Sequence, residues 1–243
     1  MTFQPIIVGQ GLIARAMAQL PEFAVPACFF ASGVSNSSNM DSKEFEREYR
    51  LLSNVLHSCD STIHFIYFST CSVYDIFAST KYVEHKLRIE RQISQREKYL
   101  IFRLPQVVGF SNNRFTLTNY IRDCILESKV MQIQQNAFRN VIDVDDVAKL
   151  VFAIVNSGLH SNSIVNIANT SNIRVTDLVK KMESTLKKQA IVELIDAGTC
   201  YPIDTTAVEY FLASCKVDFS VSYVDNLLAK YYSPIASQAT NEY

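Results

Sequence analysis

PIIVGQGLIARAMAQL, residues 5–20, holds the fold in miniature: a β-branched run, a glycine turn, then helical spacing. Ile6, Ile7 and Val8 suit a strand buried on both faces, as strands of parallel sheets are. Gly9, Gly11 and Ala14 fit the pattern G-x-G-x-x-A. Glycines there permit a tight bend and let backbone N–H groups approach a pyrophosphate at the start of the next helix. The same turn also serves as a plain strand-to-helix connection, so the motif alone leaves both readings open.

Outward from this unit the pattern repeats. ACFFASGVSNSS (27–38) is a second apolar run that ends in small polar residues. Residues 42–57 have helical spacing, with Phe45, Tyr49, Leu52 and Leu56 on one side. A strong strand over 63–68, a loop and a helix carrying Tyr82 and Lys86 follow, then a strand over 100–103 running into LPQVVG. Asp145 is expected to cap a helix whose Val147, Leu150, Val151, Ile154 and Val155 face inward and which Gly158 ends. A strand over 164–167 precedes an amphipathic helix with Leu178, Val179, Met182 and Leu186 inward. IVELI (191–195) reads as a further strand, and the last ten or so residues read as frayed. Strands alternating with helices predict an α/β fold with a mainly parallel sheet.

Composition bounds the function. The 243 residues, 48% apolar and 19% charged, suffice for one large domain or a core with a small lobe. A net charge of -1 gives no support to a nucleic-acid partner. Six cysteines without C-x-x-C spacing argue against zinc and a disulfide framework and for a reducing compartment. With no basic leader and no long apolar stretch, the reading is a soluble cytoplasmic protein without a membrane partner. His57, His64, His85 and His160 lack metal-ligand spacing, and His85 is expected to face solvent. Asp143, Asp145 and Asp146 read as capping and a solvated turn, so no metal is expected. Glu44, Glu46, Arg47 and Glu48 read as a charged helix face, with Arg47 and Glu48 able to point toward a site above Gly33. Lys180, Lys181, Lys187 and Lys188 read as a solvated face.

The chemistry lies in two neighbouring stretches, HFIYFSTCSVYD (64–75) and STKYVEHKLRIE (79–90). Tyr82 and Lys86 are four residues apart, about 6 Å of helical rise, so phenol and ammonium share one face. A lysine near a tyrosine favours the phenolate, and a tyrosine so tuned is an acid or base usable near neutral pH. Thr70 or Ser72, at the preceding strand end, can supply a hydroxyl to hold a substrate oxygen beside it. The Tyr-x-x-x-Lys spacing also occurs by chance on solvated helix faces, and its weight comes from what surrounds it.

In order along the chain, these pieces resemble the extended short-chain dehydrogenase/reductases of the NAD-dependent epimerase/dehydratase family. VGQGLIA is similar to its glycine turn and FSTCSVYD to its catalytic strand end. FRLPQVVG is similar to R-x-x-N-V-Y-G, with Gln106 in place of Asn and Val108 in place of Tyr. FRNVIDVDDVA is similar to R-D-F-I-x-V-D-D-V-A, and IVNIANT to Y-N-I-G-N. The resemblance implies a Rossmann-like core over 1–168 and a small C-terminal substrate lobe over 169–243, with 110–140 contributing. It implies an NAD- or NADP-dependent oxidoreductase, epimerase or dehydratase acting on a nucleotide sugar, in surface-polysaccharide synthesis. Thr70, Tyr82 and Lys86 fall on its catalytic positions. Gly9, Gly11, Leu12, Ile13, Gly33, Lys86 and Gln106 fall on its cofactor contacts. Ser72, Arg103 and Arg139 fall near its substrate, although Arg103 fits a strand-end carboxylate pair equally well.

The chain departs from the family between Gly11 and Gly33. About twenty residues separate Val8 from Phe29, room for one crossover where the family places two further βα units. The acid expected at the adenosine ribose would fall on Cys28–Phe30, where none stands, and no Lys or Arg lies between Arg15 and Lys43. A shortened sheet and weak cofactor binding are therefore expected, with a homodimer or partner subunit as a possible supplement. The competing reading is a non-catalytic nucleotide sensor or auxiliary subunit. Joining the two strands directly also poses a problem of hand: the helix changes face, the strand order changes, or the right-handed rule is broken.

Overall fold

The computed structural model describes residues 1–34, 36, 39, 41–77 and 80–233. The frayed tail and the polar positions 35, 37 and 38 of the second run lie outside them. In chain order the elements begin with β1 (Ile6–Val8), α1 (Leu12–Ala18), β2 (Ala27–Phe30), α2 (Ser42–Ser58), β3 (His64–Thr70), α3 (Lys81–Ile93) and β4 (Tyr99–Leu104). Next come β5 (Gln106–Val108), α4 (Leu117–Leu126), β6 (Val130–Gln134), β7 (Phe138–Arg139), β8 (Val141–Asp143) and α5 (Val144–Ser157). The chain closes with β9 (Ser163–Asn166), β10 (Ile173–Arg174), α6 (Val175–Leu186), β11 (Ile191–Ile195), α7 (Thr206–Cys215) and α8 (Tyr223–Tyr232).

Five parallel strands in the order β1-β2-β3-β4-β9 make the central sheet, the shortened Rossmann-like sheet that the sequence predicts. Side chains alternate across it. Phe29, Ile66, Phe68 and Phe102 pack on one face with Met17 of α1, Val151 and Ile154 of α5 and Phe211 of α7. Cys28, Phe30, Phe65 and Tyr67 pack on the other with Leu52 of α2 and Ile89 and Ile93 of α3. Each fully buried large apolar side chain contributes about 1.5–3 kcal/mol.

These two faces answer the question of hand. The connections through α1, α2 and α3 all step the same way across the sheet, yet α1 lies on the face opposite α2 and α3. The first crossover therefore has the opposite hand to the next two, against a preference of about 98% for right-handed units. The strand order is kept and the rule is broken.

Local chemistry sets the helix ends. Asp41 accepts the Lys43 N–H at 2.9 Å to start α2, and Thr80 accepts that of Val83 to start α3. The cap of α5 is Asp143, two residues before the expected Asp145, and it accepts the Asp145 N–H. Gly158 ends that helix at φ +67°. Asp143, Asp145 and Asp146 are then consumed by α8: Lys230 pairs with the first two, Tyr231 donates to Asp143 and Tyr223 to Asp146. This anchors a second layer of α4, α6 and α8 with the parallel ribbon β6–β11, around Ile121, Met131, Leu178 and Leu228. No helix among the described residues is long and apolar enough to cross a membrane.

Gly9 shows how tightly the turn meets the sheet. It sits at φ +136°, and a Cβ on it would lie 2.4 Å from the Ala31 carbonyl oxygen. Gly9→Ala should cost at least about 3 kcal/mol in urea unfolding, from strain plus backbone clash. Gly11→Ala, where a Cβ meets nothing within 4 Å, should cost under about 1 kcal/mol. Equal costs would contradict this account of the turn.

Candidate active site

A cavity of about 290 Å³ opens at the carboxyl ends of the strands, where α/β sheets hold ligands. The glycine turn contributes Gly11, Leu12 and Ile13, and the end of β2 contributes Phe30, Ala31 and Gly33. Thr70 and Ser72 come from the end of β3 and the 3-10 turn Cys71–Tyr74, and Tyr82 and Lys86 from one face of α3. Gln106 lines it at the start of β5, and Ser111, Asn113 and Phe115 cover it. Thr70 Oγ1 accepts the Ser72 N–H at 3.1 Å, which leaves its own proton for a ligand oxygen. Tyr82 is 8% exposed, and its hydroxyl bonds to no other described residue. The Lys86 ammonium stands 5.7 Å from the centre of that ring.

Lys86 is held from behind. Its Nζ donates to Glu48 Oε1 at 3.0 Å and to the Tyr67 hydroxyl at 2.9 Å. Glu48 also accepts from the Val34 N–H at 2.8 Å and the Tyr67 hydroxyl at 3.1 Å. His85 Nε2 lies 3.0 Å from its other oxygen and must donate, because an ionised carboxylate only accepts. Burial alone would raise the Glu48 pKa; the Lys86 charge and the bonds from His85, Val34 and Lys86 outweigh it and hold it at about 2, against an ordinary 4.5. Burial, then the Glu48 charge, pushes the Tyr67 hydroxyl well above its ordinary 10, so it stays a neutral donor.

The remaining expected residues lie off the cavity. Gly9 serves the close approach to Ala31. Arg103 is clamped by Glu90 through Nε at 2.9 Å and Nη2 at 2.6 Å and reaches the Tyr74 hydroxyl at 3.0 Å, the carboxylate pair that its strand-end position allowed. Arg139 donates to the carbonyls of Phe138 and Thr199. His85, expected in solvent, is buried, with its ring 4.8 Å from that of Phe45. Of the charged face on α2, Arg47 stays outside and pairs with Glu44, while Glu48 is buried. Spacing carried the signal: Phe45, Glu48 and Leu52 lie at i, i+3 and i+7, one inward stripe. Tyr67 lies two residues after Phe65 on β3 and so faces the same side. No cluster suited to a metal occurs among the described residues.

Residues 7–168 match the model of the NAD dependent epimerase/dehydratase family. Among solved structures, RMD from Pseudomonas aeruginosa complexed with NADPH superposes with a TM-score of 0.73 at 12% identity, covering 100% of both chains. UDP-glucuronic acid 4-epimerase from Bacillus cereus, in complex with UDP-glucuronic acid and NAD, gives 0.65 at 19% identity over 87% of this chain and 73% of its own. UDP-N-acetylglucosamine 4-epimerase from Methanobrevibacter ruminantium gives 0.67 at 13% identity over 96% and 83%. At these identities the likeness is one of fold. Among curated proteins no sequence match is found.

Glu48 makes stability depend on pH in a definite direction. Its folded pKa lies below the unfolded one, so its contribution is complete above about pH 4.5 and is lost as pH falls toward about 2. Glu48→Gln should lose about 3 kcal/mol at pH 7 and flatten this acid slope. Urea midpoints measured from pH 6 to pH 2 test it; parallel slopes for both proteins would refute the assignment.

Proposed function

The chain belongs to the NAD dependent epimerase/dehydratase family, and from that premise we propose that it is an NAD(P)-dependent oxidoreductase, epimerase or dehydratase of a nucleotide sugar. The observation that carries the reading is the convergence of Thr70, Tyr82 and Lys86 on the cavity that the glycine turn opens into. In this reading Tyr82 exchanges a proton with a sugar hydroxyl or carbonyl. Thr70 donates to the same oxygen and keeps it within reach of the phenol. Lys86 places a positive charge beside the ring, which favours the phenolate as the proton leaves. Ser72 and the cover residues Ser111 and Asn113 orient the sugar. A role in surface-polysaccharide synthesis is consistent with such a substrate.

The residues present fit half of the dinucleotide. Open space above Gly11 admits a pyrophosphate close to the backbone. Lys86 and Gln106 remain at the wall for the nicotinamide end. When bound, the nicotinamide supplies the hydride acceptor or donor. The adenosine end is poorer: β1 is the sheet edge, and β2 runs out through Phe30, Ala31 and Ser32 with no carboxylate for the ribose. That absence favours a second reading, a non-catalytic nucleotide sensor.

One missing charged hydrogen-bond pair removes about 1.5–3 kcal/mol, roughly ten- to a hundredfold in affinity. NADH titrated by fluorescence should therefore bind in the micromolar to millimolar range, weaker still in Lys86→Ala. With UDP-sugars and NAD present, Tyr82→Phe should lose at least about a hundredfold in turnover. Sub-micromolar affinity would mean that another element replaces the missing strand. No binding at millimolar cofactor, with or without nucleotide sugar, would leave the sensor reading.

A further inference from the structure

The back wall of the cavity carries an ion pair more deeply buried than most. The Lys86 side chain is 4% exposed and that of Glu48 1%, and Glu48 is the one acid that Lys86 pairs with among the described residues. Lysine is a point charge on a flexible four-carbon stem, and burial favours its neutral form unless an anion faces it. Glu48 is itself tethered, by the Val34 N–H of the loop after β2 and by His85, the neighbour of Lys86 on α3. A carboxylate tied to two elements cannot follow a wandering lysine. Tyr67 adds a second acceptor for Nζ from β3. Room for the pair depends on Gly33, where a Cβ would lie 2.8 Å from Nζ and 3.0 Å from Glu48 Oε1.

We propose that Glu48 is a positioning residue for Lys86: with Tyr67 it fixes the ammonium at the cavity wall beside the Tyr82 ring. The inference rests on the reading of Tyr82 and Lys86 given above. Glu48 touches no ligand itself; it acts through Lys86. Two of the three ammonium protons are committed, to Glu48 and Tyr67, and the third is left to meet an oxygen in the cavity.

Trace acetylation with acetic anhydride tests this, with labelling at each lysine read by mass spectrometry and Lys180, 74% exposed, as internal standard. A held ammonium is unreactive; a freed or neutral amine is not. Relative to Lys180, Lys86 should label at least about tenfold faster in Glu48→Gln than in the unaltered protein, and Glu48→Asp should recover part of the protection. Tyr67→Phe, which keeps the charge pair and loses one hold, should give a rise of about threefold. Should Glu48→Gln fail to fold by circular dichroism, Tyr67→Phe decides. Unchanged Lys86 labelling in folded variants overturns the proposal, as does a rise spread over all lysines, which would mark Glu48 as a general support of the fold. NADH titration of the same proteins separates the two readings. An unaltered protein that binds no NADH counts against the function, while the labelling still decides the role of Glu48.

Discussion

One buried carboxylate holds the site together. Glu48 comes from α2, and its partners come from β3 (Tyr67), α3 (His85 and Lys86) and the loop after β2 (Val34). A lone buried carboxylate costs several kcal/mol, and a buried ion pair seldom outperforms well-packed apolar residues of similar volume. Here four donors satisfy the carboxylate. What the arrangement supplies that an apolar contact could not is a fixed positive charge at a cavity wall. The bulk of the stability comes from the apolar core, from residues such as Phe29, Phe65, Ile66 and Phe102 on the two faces of the sheet.

The second constraint is the shortened sheet. With β1 at the edge, the glycine turn still opens onto the carboxyl ends of β2 and β3, because parallel neighbours place their turns at the same end. The helix after that turn has seven residues and packs on the α5 face through Met17. That packing wins over the preferred hand of the crossover. The cavity thus keeps the parts that α3, β3 and the turn supply, and lacks the part a strand beyond β1 would supply.

The second layer is joined to the core by polar contacts at its margins. Tyr223, Lys230 and Tyr231 of α8 engage the acidic start of α5, and Thr199 donates to Asp75 beside the turn that carries Ser72. The three aspartates that in sequence read as capping and a solvated turn are therefore occupied by hydroxyls and an ammonium. Arg103 is likewise occupied, since Glu90 and Tyr74 take its fork. A charged residue near a strand end is as readily a brace as a ligand contact.

The sequence by itself determined the parallel α/β class, the five strands of the central sheet, the helices α1, α2, α3, α5 and α6, the shortening after β1 and the placement of Tyr82 and Lys86 on one helix. These follow from periodicity, turn residues and spacing along one segment, whereas α4, α7, α8 and the short strands β5 to β8 and β10 carry no such signal. The inward stripe of α5 from Val147 to Val155 and the Gly158 stop are examples. Only the tertiary structure decided the hand of the first crossover, the occupation of Arg103 and the three aspartates, and the burial of His85 and Glu48. Each depends on what a distant segment brings to the same place: whether Glu48 is a solvated charge or an inward one is settled by Lys86, thirty-eight residues away along the chain. Spacing along a helix shows which face a residue occupies, and the partner that makes burial of a charge affordable appears only when the chain has folded.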